Sequence, residues 1–210
     1  MRTFKAALFD LDGTLCDTEP YYVDFWDRMG RAYRPDLPGM GKLAQGRPPK
    51  NTIEEYFSDV QDELFKELRA FEAKIPYAYF PGALDFLEDL KANGVKCAVV
   101  TSSNHYKMSC VAKGLPGFSK HFDEVLTMEQ FAHPKPAPDC FLLGVEVFGL
   151  RPDECVVFED SFSGLKSGMD AGIFTVALAT SNTREALQGH CDYILDSFVG
   201  ATYRQIADQL

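Results

Sequence analysis

The 210-residue chain has no CxxC pair, and its six cysteines (Cys16, Cys97, Cys110, Cys140, Cys155, Cys191) are scattered, with no Cys/His cluster at zinc-ligand spacing. That excludes a zinc module and a redox dithiol. Several thiols sit in apolar runs such as residues 97–100, where they are expected to pack as small, reduced hydrophobes. Long hydrophobic runs are missing too. The first apolar stretch, residues 6–9, is broken by Asp10, too short for a secretory leader, and no later one approaches a membrane-spanning length. Positive charge is scarce: 21 Lys+Arg against 31 Asp+Glu give a net charge of −10, with no local basic patch. Such a surface repels phosphate backbones. Internal repeats and low-complexity segments are absent. What is present is core material, 46% hydrophobic and 13% aromatic residues, enough for one domain or a domain carrying an insertion. The expectation is a cytoplasmic protein, monomeric by default, with neither nucleic acid nor membrane as a partner.

Short, nearly all-apolar runs recur at residues 6–9, 95–100, 124–126, 155–158 and 174–178. Strands covered by helices on both faces read this way. Helical patterns lie between them, for instance at 83–91 and 163–171. The alternation predicts an α/β fold, a doubly wound parallel sheet whose ligands bind at the strands' C-terminal ends. One stretch departs from it. Residues 20–34 (Tyr22, Phe25, Trp26, Met29, Tyr33) and 52–73 (Ile53, Tyr56, Phe57, Val60, Leu64, Leu68) have helical spacing and no strand. A Pro/Gly-rich loop, residues 35–50, joins them. The simplest reading is a helical cap at 17–80 inserted into a core of residues 1–16 and 81–210, with hinges near residues 16–18 and 79–82.

Polar residues mark the ends of the strand runs. The first ends in Asp10-Leu11-Asp12-Gly13-Thr14, the second in Thr101-Ser102-Ser103-Asn104 and the fourth in Glu159-Asp160-Ser161; Pro134-Lys135-Pro136 follows the third. In a parallel sheet these endings converge on one edge. Asp10, Asp12, Glu159 and Asp160 crowded together would repel strongly without a compensating cation. Mg2+, a hard ion that binds through few carboxylates plus substrate phosphate, suits the site. Lys135 adds fixed positive charge, and Thr101 with the following amides can bind phosphate oxygens. The set is one for phosphoryl transfer. Taken alone, Asp10 and Asp12 equally suit a cap and a turn, Thr101 a helix cap and Lys135 an ordinary surface position; it is their common register that points to chemistry.

The run Asp10-Leu11-Asp12-Gly13-Thr14 resembles the DxDGT/V signature of the haloacid dehalogenase superfamily, and Thr101, Lys135 and Glu159-Asp160 stand in the order of its further motifs. Lys135-Pro136-Ala137-Pro138-Asp139 and Glu159-Asp160-Ser161-Phe162-Ser163-Gly164 resemble the helical-cap subfamily of β-phosphoglucomutase and sugar-phosphate phosphatases. The resemblance covers nearly the whole chain. It implies Asp10 as the nucleophile that forms an aspartyl-phosphate. Asp12 would be the general acid and then base, its main-chain carbonyl also touching the metal. Asp160, with Glu159 directly or through water, would complete the Mg2+ shell beside Asp10. Thr101 and the Ser102 amide would hold the phosphoryl group, Lys135 would offset charge on Asp10 and on the transferring oxygens, and Gly13 would permit the tight turn. The carboxylate at position 12 implies phosphate-ester chemistry rather than dehalogenation.

The leading expectation is therefore a Mg2+-dependent phosphatase of a small phosphorylated metabolite, a sugar or polyol phosphate, with inorganic pyrophosphate a further candidate. A β-phosphoglucomutase-like phosphomutase is the alternative, disfavoured because Pro48 and Pro49 replace residues of the mutase-like loop. A non-enzymatic ligand sensor would be expected to lack Asp10, Asp12 or Lys135. Specificity should reside in the cap, where Arg47 and Lys50 of Gly46-Arg47-Pro48-Pro49-Lys50 are candidate contacts for the substrate's distal polar group, against the plain reading of two solvated charges. The four histidines read as surface or loop residues, and the Tyr22-Phe25-Trp26 stripe as cap core more than substrate platform. Gly39-Met40-Gly41-Lys42 is not a P-loop, since Leu43 follows the lysine.

Overall fold

The computed structural model describes residues 3–210. Residues Ala6–Phe9 carry no polar side chain and all four are buried, as β1. They lie inside a six-stranded, fully parallel sheet of order β3-β2-β1-β4-β5-β6. The other strands are β2 (Lys96–Val100), β3 (Glu124–Leu126), β4 (Cys155–Glu159), β5 (Phe174–Leu178) and β6 (Tyr193–Leu195). Successive residues serve opposite faces. Ala7, Phe9, Val99 and Phe158 join one core; Leu8, Ala98, Val100 and Val157 join the other, which is why the strands read as unbroken apolar runs. Helix α5 (Ala83–Ala92) covers the first face through Phe86, Leu87 and Leu90, with Ile206 of α10 (Tyr203–Ala207) beside it. Helix α7 (Asp139–Val147) covers the second through Cys140, Phe141 and Val145. Phe9 stacks on Phe158 at 4.7 Å between ring centroids and Phe86 on Phe198 at 5.4 Å, under the first turn of the site. Helices α6 (His105–Gly114), α8 (Phe162–Asp170) and α9 (Arg184–Leu187) complete this part.

Between β1 and α5 the chain is helical: α1 (Glu19–Tyr33), α2 (Met40–Ala44), α3 (Pro49–Tyr56) and α4 (Gln61–Glu72). The structure corrects the sequence reading in three places, two of them in this segment. The loop at 35–50 contains α2, because Gly41 lets α2 sit against Val23 of α1 and its amide donates to Asp27 Oδ1 at 2.7 Å. The single pattern at 52–73 is two helices, broken at Phe57–Val60. Arg34 reaches that break, its Nε donating to the Tyr56 carbonyl at 2.6 Å and its guanidinium pairing with Asp59; a helix-end carbonyl is thereby satisfied from outside. The sixth strand, β6, was not anticipated, as three residues at a sheet edge give too little pattern. The aromatic stripe is buried as expected, with Phe25 stacked on Phe71 at 4.6 Å and Trp26 on Phe57 at 6.0 Å, although Tyr22 and Trp26 also line a cavity.

The helical segment leaves and re-enters side by side. Cys16 bridges antiparallel to Tyr79, the Asp17 amide donates to the Ala78 carbonyl at 3.2 Å, and the Phe80 amide to the Leu15 carbonyl at 2.9 Å. The cysteines are free thiols, five of them buried. Among the described residues no helix is long and apolar enough to cross a membrane.

Candidate active site

The C-terminal ends of β1, β2 and β4 open on a cavity of about 640 Å³ between the sheet and the helical segment, lined by Asp10, Asp12, Thr101, Ser102, Lys135, Glu159 and Asp160. Asp10 is the residue after β1, in the crevice beside the point where strand order reverses. Lys135 reaches it from the loop before α7. Its Nζ donates to Asp10 Oδ1 at 2.5 Å, to Glu159 Oε1 at 3.0 Å and to the Val100 carbonyl at 3.1 Å, and lies 4.8 Å from the Phe141 ring centroid. Burial disfavours the ammonium, but the charges of Asp10 and Glu159 outweigh it and hold the lysine well above its usual range. Asp10 itself is pushed up to about 7, chiefly by burial and by the charges of Glu159 and Asp12, against the opposing pull of Lys135.

Asp12 has a different environment. Its Oδ1 accepts from Thr18 Oγ1 at 2.6 Å; its Oδ2 accepts from Lys107 Nζ at 2.6 Å and from Ser103 Oγ at 2.9 Å. Burial raises its proton affinity, yet Lys107 and these hydrogen bonds together leave it below the ordinary carboxylate value. Two aspartates two residues apart are thus driven in opposite directions. Gly13, at φ +83°, makes the turn between them and Thr14, and a Cβ there would stand 2.2 Å from Asp160 Oδ2.

Asp160 accepts from Thr14 Oγ1 at 2.8 Å, and its main-chain carbonyl from Asn182 Nδ2 at 2.9 Å. Burial, then the charges of Glu159 and Asp10, push its carboxyl well above the ordinary value. Glu159 is turned towards its own chain: Oε2 accepts from the Asp160 amide (2.8 Å), the Ser161 amide (2.7 Å) and Ser161 Oγ (2.9 Å), while Oε1 takes Lys135. Gly164 makes this possible, since a Cβ there would meet Glu159 Oε1 at 1.7 Å. Consequently, among the described residues no three His, Cys, Asp or Glu side chains are grouped to hold one ion. Thr101 is buried, its Oγ1 accepting from the Ser103 amide at 3.0 Å. Ser102 follows it on the cavity wall, beside α6, whose first turn is capped by Asn104.

The cap candidates are also on the wall, with local partners. Arg47 pairs with the Glu55 carboxylate, donates to the Tyr56 hydroxyl at 3.1 Å, and stacks 5.4 Å from that ring. Lys50 lies 3.7 Å from Glu54, four residues on. Residues that sequence reasoning passed over are Lys107, Thr18, Ser103 and Thr14, which hold the acidic groups, and Glu19 and Glu72, which line the cavity from the helical side beside Tyr22 and Trp26.

Residues 4–172 match the haloacid dehalogenase-like hydrolase family. The chain belongs to that family. Hexitol phosphatase A of Escherichia coli is 33% identical to this haloacid dehalogenase-like hydrolase, covering 83% of the chain and 82% of that protein. Validoxylamine A 7'-phosphate phosphatase of Streptomyces hygroscopicus subsp. limoneus is 31% identical, covering 88% and 90%. The chain also spans 19% of a longer protein, SUPPRESSOR OF QUENCHING 1 of Arabidopsis thaliana, at 30% identity. A haloacid dehalogenase hydrolase of family IA, variant 3, from Entamoeba histolytica superposes with a TM-score of 0.84 at 26% identity, over 98% of this chain and 99% of that one.

Proposed function

We propose that this hydrolase is a Mg2+-dependent phosphatase that removes the phosphoryl group from a small sugar or polyol phosphate through an aspartyl-phosphate on Asp10, in the cytoplasm, with residues 17–80 acting as a cap. The observation that carries the reading is the pair of aspartates with opposed proton affinities on the cavity floor, Asp10 held by Lys135 and Asp12 by Lys107, Ser103 and Thr18.

The residues present suit a magnesium ion. Asp10 and Asp160 are oxygen donors whose carboxyls are both driven up by burial and by neighbouring negative charge, so a cation placed at them stabilises their ionised forms. Magnesium takes one or two carboxylates and keeps water and substrate oxygens for the rest, so no cage of three carboxylates is required. Asp10, Asp160 and the Asp12 main-chain carbonyl would hold it, with Glu159 acting through water. When bound, it supplies the charge neutralisation that lets a carboxylate approach a phosphate dianion.

The remaining work falls to the chain. A carboxylate oxygen of Asp10 attacks phosphorus while the bond to the ester oxygen breaks. Asp12, protonated once the phosphate dianion sits beside it, gives its proton to the departing alkoxide. As a carboxylate again, the form its present partners favour, it takes a proton from a water that attacks the phosphorus of the aspartyl-phosphate. The Asp10–phosphorus bond breaks and inorganic phosphate leaves. Thr101 Oγ1 and the Ser102 amide orient the transferring oxygens, and Lys135 holds Asp10 in line and offsets developing charge.

The test is free phosphate release from a panel of phosphorylated metabolites with Mg2+ and with chelator. Release from sugar or polyol phosphates, lost on chelation, is expected. Interconversion of glucose phosphates without release, or turnover indifferent to chelation, would overturn the reading.

A further inference from the structure

Beyond the reacting groups, the wall of the cavity facing Asp12 is built by the cap. Lys107 Nζ, which holds Asp12 Oδ2, also lies 4.4 Å from the ring centroid of Tyr22. The Tyr22 hydroxyl in turn donates to Glu72 Oε1 at 3.0 Å. Glu72 is only 3% exposed and lines the cavity. Its backbone carbonyl takes the Tyr77 hydroxyl at 3.0 Å, but its Oε2 has no hydrogen-bond partner among the described residues. Oε2 is not one of the fully enclosed polar atoms left without a partner, so it is open to a donor from the cavity that Glu72 lines. Glu19, half-buried at the start of α1, lines the same wall and likewise accepts no hydrogen bond from the described residues.

Asp12 fixes where the leaving oxygen must be, so the rest of the leaving group extends along this wall. The wall offers it acceptors: the free oxygen of Glu72, the carboxyl of Glu19, and the faces of Tyr22 and Trp26. Of the cap cations on the cavity wall, Arg47 pairs with Glu55, Lys50 lies near Glu54 and Arg69 stands over the Tyr106 ring at 5.3 Å, while Lys42 of α2 is exposed. We propose that Glu72, assisted by Glu19, is a hydroxyl-recognition subsite that selects phosphate monoesters with an uncharged, polyhydroxylated leaving group and rejects those with a second anionic group. The inference rests on the phosphatase reading and adds to it the residues that read the leaving group. A donor hydroxyl completes the valence of Glu72 Oε2; a carboxylate or second phosphate in its place would face a like charge in a poorly solvated pocket. Burial raises the proton affinity of both carboxyls, Glu19 to about 7, and a protonated Glu19 gains a donor, which also suits a hydroxyl.

The experiment measures kcat/KM for phosphate release from glucitol 6-phosphate, ethyl phosphate and phosphoglycolate. The wild-type enzyme is expected to prefer glucitol 6-phosphate. E72L should lower kcat/KM for that substrate by about ten- to a hundredfold, the worth of a hydrogen bond to a charged group, while ethyl phosphate changes by less than about twofold. E72Q keeps the volume and an acceptor for the Tyr22 hydroxyl but removes the charge. It should raise the phosphoglycolate to glucitol 6-phosphate ratio by about tenfold or more. The E72Q ratio decides the matter alone if E72L does not fold. Equal losses on all three substrates, or an unchanged ratio in E72Q, would overturn the subsite. No release by the wild type from any of them would instead remove the phosphatase reading beneath it.

Discussion

The floor and the roof of the cavity are built differently. On the floor the charged groups are fixed by partners mostly far away in sequence: Lys135 spans Asp10, Val100 and Glu159, and Asp12 is gripped by Ser103 and Lys107 as well as by the nearby Thr18. On the roof, Arg47 and Lys50 pair with Glu55 and Glu54, neighbours within one turn or two of the same segment. Long-range, buried contacts leave the floor one arrangement, as handling a phosphoryl group requires. Short-range, exposed pairs are worth little and exchange readily, which suits a surface that must accept a variable leaving group.

Substitutions that break this contrast should rank accordingly. Asp10→Asn should cut turnover by about a thousandfold or more while circular dichroism stays native, because it removes the nucleophile and keeps the shape; substantial residual phosphate release would mean that another group attacks. Lys135→Met leaves Asp10 and Glu159 buried without their cation. Removing one partner of a buried pair costs about 3–5 kcal/mol, which denaturant unfolding would register, together with lost activity. Arg47→Ala, on the roof, should raise KM several-fold on the preferred substrate and leave kcat unchanged, since it removes uniform binding. An unaltered KM across substrates would assign Arg47 to the cap surface alone.

The smallest effect is a pH dependence. Glu19 rises from its ordinary 4.5 to about 7 on folding, by burial and then by the charge of Asp12. The unfolded chain therefore releases that proton first, and the folded state loses stability as pH climbs from about 4.5 to about 7. Glu19→Gln abolishes this penalty. Its melting temperature should exceed that of the wild type above about pH 7 and match it below about pH 4. An equal gain at both ends would assign the benefit to packing.

The same division explains what could be read from the sequence. Asp10, Asp12, Thr101, Lys135 and Asp160 were legible because they stand in one register at or after successive strand ends, and the all-apolar strands β1, β2 and β4 follow from burial on both faces. Lys107 did not, since nothing in a helical pattern tells a buried lysine from an exposed one until its partner Asp12 is placed across the cavity. Glu72 was hidden likewise: its last-turn position on α4 reads as solvated, and only the Tyr22 hydroxyl reveals that it points inward. The break between α3 and α4 depends on Arg34, more than twenty residues upstream. Edge strand β6 is too short for periodicity to register.

The paired crossings at Cys16 and Tyr79 bear on how such a molecule can change. Since the polypeptide enters and leaves the helical segment through two backbones joined by hydrogen bonds, whatever lies between them closes a loop whose ends are already fixed together. Lengthening or exchanging that loop costs little chain entropy and leaves the sheet and its acidic rim unstretched. A new roof can therefore be fitted to an old reaction, and the choice of molecule to be dephosphorylated can drift while the dephosphorylating machinery stands still.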